Sequence, residues 1–62
     1  MRQVDEVLTE LLAKNPGPVS IAAGIAALRA VGNEEPVFDL QSLIASYAAE
    51  QGRAIRFDVS FS

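Results

Sequence analysis

The chain has 62 residues, half of them apolar and 21% charged, with eight acidic side chains against five basic ones and a net charge of −3. That balance excludes a disordered chain, which would be poorer in apolar residues, and leaves no room for a second domain. Cysteine and histidine are both absent, which excludes disulfides, thiolate or imidazole metal sites and thiol nucleophiles.

Val4, Val7, Leu8, Leu11 and Leu12 form one apolar stripe at helical spacing and predict a helix over about 3–14. Asp5 and Glu6 fall in its first turn and Lys14 in its last, as the helix dipole favours. Asn15-Pro16-Gly17-Pro18 stops it, because the two prolines lack an N–H and Asn15 precedes one of them.

Val19-Ser20-Ile21 reads either as a short extended piece or as the lead-in to a second helix over about 20–31, with Ser20 as its cap. In IAAGIAALRAV, alanine or glycine takes six of eleven positions and Arg29 is the one polar side chain. Such a helix is expected to be covered on most sides, with Ile21, Ile25 and Leu28 in the core. Gly24 costs about 1 kcal/mol against alanine in a helix interior, which points to a tight crossing there. The small residues Ala22, Ala23, Ala26 and Ala27 suit a close-packed core helix or, alternatively, a contact between subunits. Gly32 is a natural residue for the position after a helix end.

Asn33-Glu34-Glu35-Pro36 is a polar turn. Leu40, Leu43, Ile44, Tyr47 and Ala48 repeat the first helix's spacing and predict a third helix over about 39–51, with Asp39 as N-cap unless an earlier turn forms over 35–38. Gly52 closes it. The last nine residues, AIRFDVSFS, alternate apolar and polar side chains and predict a strand over about 54–62.

That strand shapes the expected architecture. Nothing of comparable length exists to pair with it, unless Val19 to Ile21 or Val37-Phe38 does so over two or three residues. A bare edge of about 30 Å is an aggregation hazard that proteins avoid. Pairing with a second copy is therefore expected through Ile55, Arg56, Phe57, Asp58, Val59, Ser60 and Phe61. The fold class is a single small α+β domain over 1–62: three short helices followed by one C-terminal strand, with strand pairing between subunits. Association also fits the size, since a lone core of this length yields roughly 3–5 kcal/mol and no disulfide or metal staple is present.

For chemistry the chain is sparsely equipped. The carboxylate pairs Asp5-Glu6 and Glu34-Glu35 are adjacent in sequence, and neighbouring helix positions diverge by about 100°. Lys14 is the one lysine, and the four glycines are separate punctuation rather than a phosphate cradle. No catalytic, cofactor or metal site is expected. The cations Arg2, Lys14, Arg29, Arg53 and Arg56 are scattered, so neither nucleic acid nor an anionic membrane is expected as a partner. The longest apolar run, 21–28, is too short to span a bilayer, and Asp5 and Glu6 interrupt a signal-peptide start. A cytoplasmic protein is expected.

Over about residues 4–59 the element order resembles the front of a winged-helix domain. VLTELLAKNPGPVSIAAGIAAL is similar to the opening of such domains, and VGNEEPVFDLQSLI spans the turn and recognition helix. The resemblance implies a DNA-binding transcriptional regulator. The segment 39–51 carries Asp39 and Glu50 and no cation, however, and the returning strand of a wing is missing. The residues themselves favour a small non-catalytic protein-interaction module (a regulator, adaptor or inhibitor) that binds its own copies as a homodimer or higher oligomer, and another protein besides. The alternatives are the DNA-binding regulator and a small structural subunit of a phage or other assembly.

Overall fold

The computed structural model describes residues 3–59. Along the chain run α1 (Val4–Lys14), β1 (Val19–Ser20), α2 (Ile21–Ala30), α3 (Val37–Glu50) and β2 (Ile55–Arg56). This is a small α+β fold, three helices with a two-stranded parallel sheet in which Val19 pairs with Ile55 and Ser20 with Arg56.

Several of the helix ends have a local cause. The α1 stripe turns Val7 and Leu8 fully inward, with Val4, Leu11 and Leu12 packed around them. Ser20 caps α2, its hydroxyl accepting the Ala23 N–H at 3.1 Å. α3 begins at Val37, two residues before the expected start. Pro36 rather than Asp39 is its N-cap, and the Pro36 carbonyl accepts the Leu40 N–H at 3.1 Å. Asp39 sits in the first turn, where its charge suits the dipole. At the far end Gly52 adopts φ +71°, its N–H bonds the Ala49 carbonyl, and the Arg53 N–H reaches back to Ala48. This doubly bonded closure needs a left-handed residue, hence glycine. The same pair of bonds, Gly32 to Arg29 and Asn33 to Leu28, closes α2.

The core lies between the three helices and the sheet. Among the described residues it consists of Val7, Leu8, Val19, Ile21, Leu28, Leu40, Ile44 and Ala48. α2 and α3 meet at Gly24, where a Cβ would lie 2.7 Å from Ile44 Cδ1 and 3.2 Å from its Cγ atoms. The glycine is there because the neighbouring helix is. Of the other expected core residues, Ile25 and Tyr47 are half-buried, and the Tyr47 hydroxyl is hydrogen-bonded to Thr9 Oγ1. Leu43 departs from expectation, standing 39% exposed. Leu40, Ile44 and Ala48 occupy the centre of the buried face, and Leu43 falls beyond its edge.

Two expectations are corrected here. α2 is not covered on most sides: Ile21, Gly24 and Leu28 are buried, whereas Ala22, Ala23, Ala26, Arg29 and Ala30 are exposed. Among the described residues its neighbours are α1, α3 and a two-residue strand, and none of them lies across the opposite side. The second is the length of the C-terminal strand: it pairs with β1 of its own chain, the alternative left open for Val19 to Ile21, but among the described residues it covers Ile55–Arg56 and does not continue through 57–59. Beyond Arg56 the chain turns, with the Asp58 N–H donating to the Arg56 carbonyl at 3.0 Å, a three-residue turn of the kind found at strand ends. Strand alternation ends there. Ser60 and Phe61 lie outside the described residues. Among the described residues no helix is long and apolar enough to cross a membrane.

Candidate functional site

The polar chemistry of the molecule is concentrated where residues 53–58 fold back over the α1–α2 connection. Arg53 leaves the closure of α3 and lays its guanidinium on carbonyls that nothing local satisfies. Nη1 donates to Leu12 at 3.3 Å, Nη2 to Asn15 at 2.6 Å, and Nε to Gly17 at 3.1 Å, with a further bond from Nη2 to Gly17. The last carbonyls of a helix lack intrahelical partners and carry partial negative charge. A planar fork of five donors fits such a spread of acceptors.

Asp58 performs the opposite service at the start of α2. Its Oδ2 accepts the Ser20 hydroxyl at 2.6 Å and its Oδ1 accepts the Ala22 N–H at 2.9 Å. Together Ser20 and Asp58 satisfy two of the N–H groups that every helix leaves open at its beginning. α2 has no acidic residue in its own first turn; Asp58 supplies the charge from 36 positions away. The hydrogen bond from Ser20, and then that from the Ala22 amide, hold the Asp58 carboxyl below its ordinary range, against a smaller opposing effect of burial. As a hydroxyl–carboxylate pair, Ser20 and Asp58 offer little basicity, because both oxygens of the acid already hold donors.

The residues expected to form an intermolecular strand are thus dispersed in role. Ile55 is half-buried beside Val19, Arg56 is exposed, Phe57 points outward at 63% exposure, Asp58 caps α2, and Val59 packs on the core. Arg56 borders a hollow of about 270 Å³ between the end of α1, the Pro16–Pro18 turn and the start of α2, with Leu11, Leu12, Val19 and Ala23 on its walls. Reading the residues locally assigned Ser20 correctly and missed both Arg53 and Asp58. The missing acid in the first turn of α2 is the signal that could have pointed to Asp58.

Two apolar surfaces complete the picture. Phe38, at the start of α3, is 67% exposed, and the outer side of α2 is alanine apart from Arg29. Among the described residues no three acidic, histidine or cysteine side chains gather in a way that could hold a metal ion. Comparison with protein-family models, with curated proteins and with solved structures gives no match to this chain.

Proposed function

We propose that the chain is a small non-catalytic protein-interaction module, a regulator, adaptor or inhibitor that acts as a homo-oligomer. The observation that supports this reading is the apolar surface. Phe38 and Phe57 stand 67% and 63% exposed, and the outside of α2 presents Ala22, Ala23, Ala26 and Ala30. The α2 alanines share one side of the helix, and contiguous exposed apolar surface marks contact sites. A core of this size yields only about 3–5 kcal/mol by itself, so burying further apolar surface on association adds to stability as well as to recognition. Strand pairing between subunits through β2 would use its outer edge, since β1 holds the inner one.

The winged-helix order of α1, β1, α2 and α3 does not by itself argue for DNA. The exposed positions of α3 include Asp39, Ser42, Ser46 and Glu50 and no cation, whereas groove readers bring cations or amides to bases and phosphates. The test is light scattering over the micromolar range. A mass of at least twice 6.6 kDa is expected; a mass of 6.6 kDa throughout overturns the reading, and growth past a tetramer favours the structural-subunit alternative.

A further inference from the structure

We infer that residues 53–59 are a strap that two copies exchange, each copy's strap taking the place of the other's. The inference rests on the homo-oligomer reading and names how the copies join. Within one chain the strap's hydrogen bonds to the rest of the molecule run to residues 12–22. The Arg53 guanidinium donates to the carbonyls of Leu12, Asn15 and Gly17. The Val19 N–H donates to the Ala54 carbonyl at 2.8 Å, and Ser20 and Ala22 donate to the Asp58 carboxylate. The bond from the Arg53 N–H to the Ala48 carbonyl of α3 belongs to the helix closure itself. In hydrogen bonding, then, the strap leaves α3 at one turn and docks on a distant part of the chain.

The strap itself identifies the occupant. Lifting it uncovers Val19, otherwise 4% exposed, and frees carbonyls at the end of α1, N–H groups at the start of α2 and one edge of β1. Filling that site takes a guanidinium fork, a short parallel strand and an acid, in that order. A second copy's residues 53–59 bring the same set. Release is inexpensive, because no strap residue is fully buried: Arg56, Phe57 and Asp58 are exposed, and Ile55 and Val59 are half-buried. The hinge is a single residue. Gly52 has φ +71°, and a Cβ there would meet nothing within 4 Å, so the turn back rests on glycine's freedom alone. Closure within one chain and exchange make the same strap contacts, so concentration and the hinge decide between them. Exchange needs no new complementary surface, and it fills both docking sites at once.

Mixed isotope labelling reads the exchange with no substitution at all. Chains labelled with nitrogen-15 and chains labelled with carbon-13 are unfolded together in urea and refolded as an equal mixture. Val19 and Ile55 are register partners, so magnetisation transfer is expected from the Val19 amide of one label to the Ile55 side chain of the other. Transfer confined to one label, with a mass still at least twice 6.6 kDa, overturns the exchange and leaves the oligomer reading standing. Gly52→Ala supplies a second measurement. It strains the closed turn, which an L-residue at positive φ disfavours, whereas the exchanged hinge is free to extend. The dimer should tighten at least about tenfold. A Gly52→Ala protein that melts lower, with its dimer no tighter, overturns the exchange. An unmodified chain of 6.6 kDa at all concentrations overturns both readings.

Discussion

The Ser20 hydroxyl donates to the Asp58 carboxylate at 2.6 Å across 38 positions of sequence, and the same hydroxyl accepts the Ala23 N–H of α2. One side chain therefore joins a local helix cap to the returning C-terminal segment. Removing the carboxylate should loosen both. Asp58→Ala is expected to lower the melting temperature and to increase amide exchange at Ala22. Read from the sequence alone, Asp58→Thr is harmless because threonine suits a strand; with the cap in view it should also destabilise, since a single uncharged hydroxyl oxygen cannot stand in both places where Oδ2 accepts from Ser20 and Oδ1 from Ala22. Thermal melts of Asp58→Ala and Asp58→Thr beside the unmodified chain check this, and an unchanged melting temperature for Asp58→Thr refutes the cap.

The cap should be pH-dependent in a definite direction. The folded Asp58 carboxyl titrates below its ordinary value of 3.8, so between the two values the unfolded chain binds more protons and stability rises with pH. The contribution is complete above about pH 5 and is lost as pH falls through the folded value. The difference in melting temperature between the unmodified protein and Asp58→Ala should be constant from neutral pH to about 5 and shrink below about 4. A difference that grows on acidification contradicts the assignment.

Arg53 reaches three carbonyl groups, on Leu12, Asn15 and Gly17, from one planar head. A lysine ammonium keeps the charge but cannot span that spread. Arg53→Ala should cost about 1–3 kcal/mol, and Arg53→Lys should recover less than half of the loss. Urea denaturation midpoints distinguish this from a purely coulombic effect, for which lysine would recover nearly all of it.

Gly24→Ala sets two effects against each other. Alanine gains about 1 kcal/mol of helix propensity, but its Cβ would lie 2.7 Å from Ile44 Cδ1, and overpacking a core costs about 1–3 kcal/mol. Ile44 is 1% exposed and its Cγ atoms are also close, at 3.2 Å, so the net change should be destabilising. Ile44→Val removes Cδ1. On its own it should cost about 0.5–1.5 kcal/mol, and in the Gly24→Ala background it should cost less or stabilise. A double-mutant cycle reads the coupling, expected to be at least about 0.5 kcal/mol.

The stripes of α1 and α3 differ in how far they reach inward. Leu8, fully buried, should cost about 2–5 kcal/mol on conversion to alanine. Leu11, half-buried, should cost less, and Leu43, 39% exposed, less than about 1 kcal/mol. Equal losses at Leu8 and Leu43 would show that the buried face of α3 is wrongly placed.

What could be read from the residues alone was local. The spacing of Val4, Val7, Leu8 and Leu11, the Ser20 cap, the stop at Asn15-Pro16 and the closures at Gly32 and Gly52 all act within a few positions of themselves, so composition and periodicity reveal them. The cost of Gly24 hinted at a crossing, though not at Ile44 as the neighbour. Whether an apolar helix is covered depends on how many elements can reach it, which is why α2 reads as buried in sequence yet leaves Ala22, Ala26 and Ala30 outside. The alternation of Ile55, Phe57 and Val59 is a strand pattern on paper, but the unsatisfied start of α2 draws Asp58 away and turns Phe57 outward. The β1–β2 pair, the Arg53 clamp and the Asp58 cap join residues 36 or more positions apart. Only the folded chain brings those donors and acceptors together; the missing acid in the first turn of α2 is a local signal of need, but it does not say which distant residue meets it.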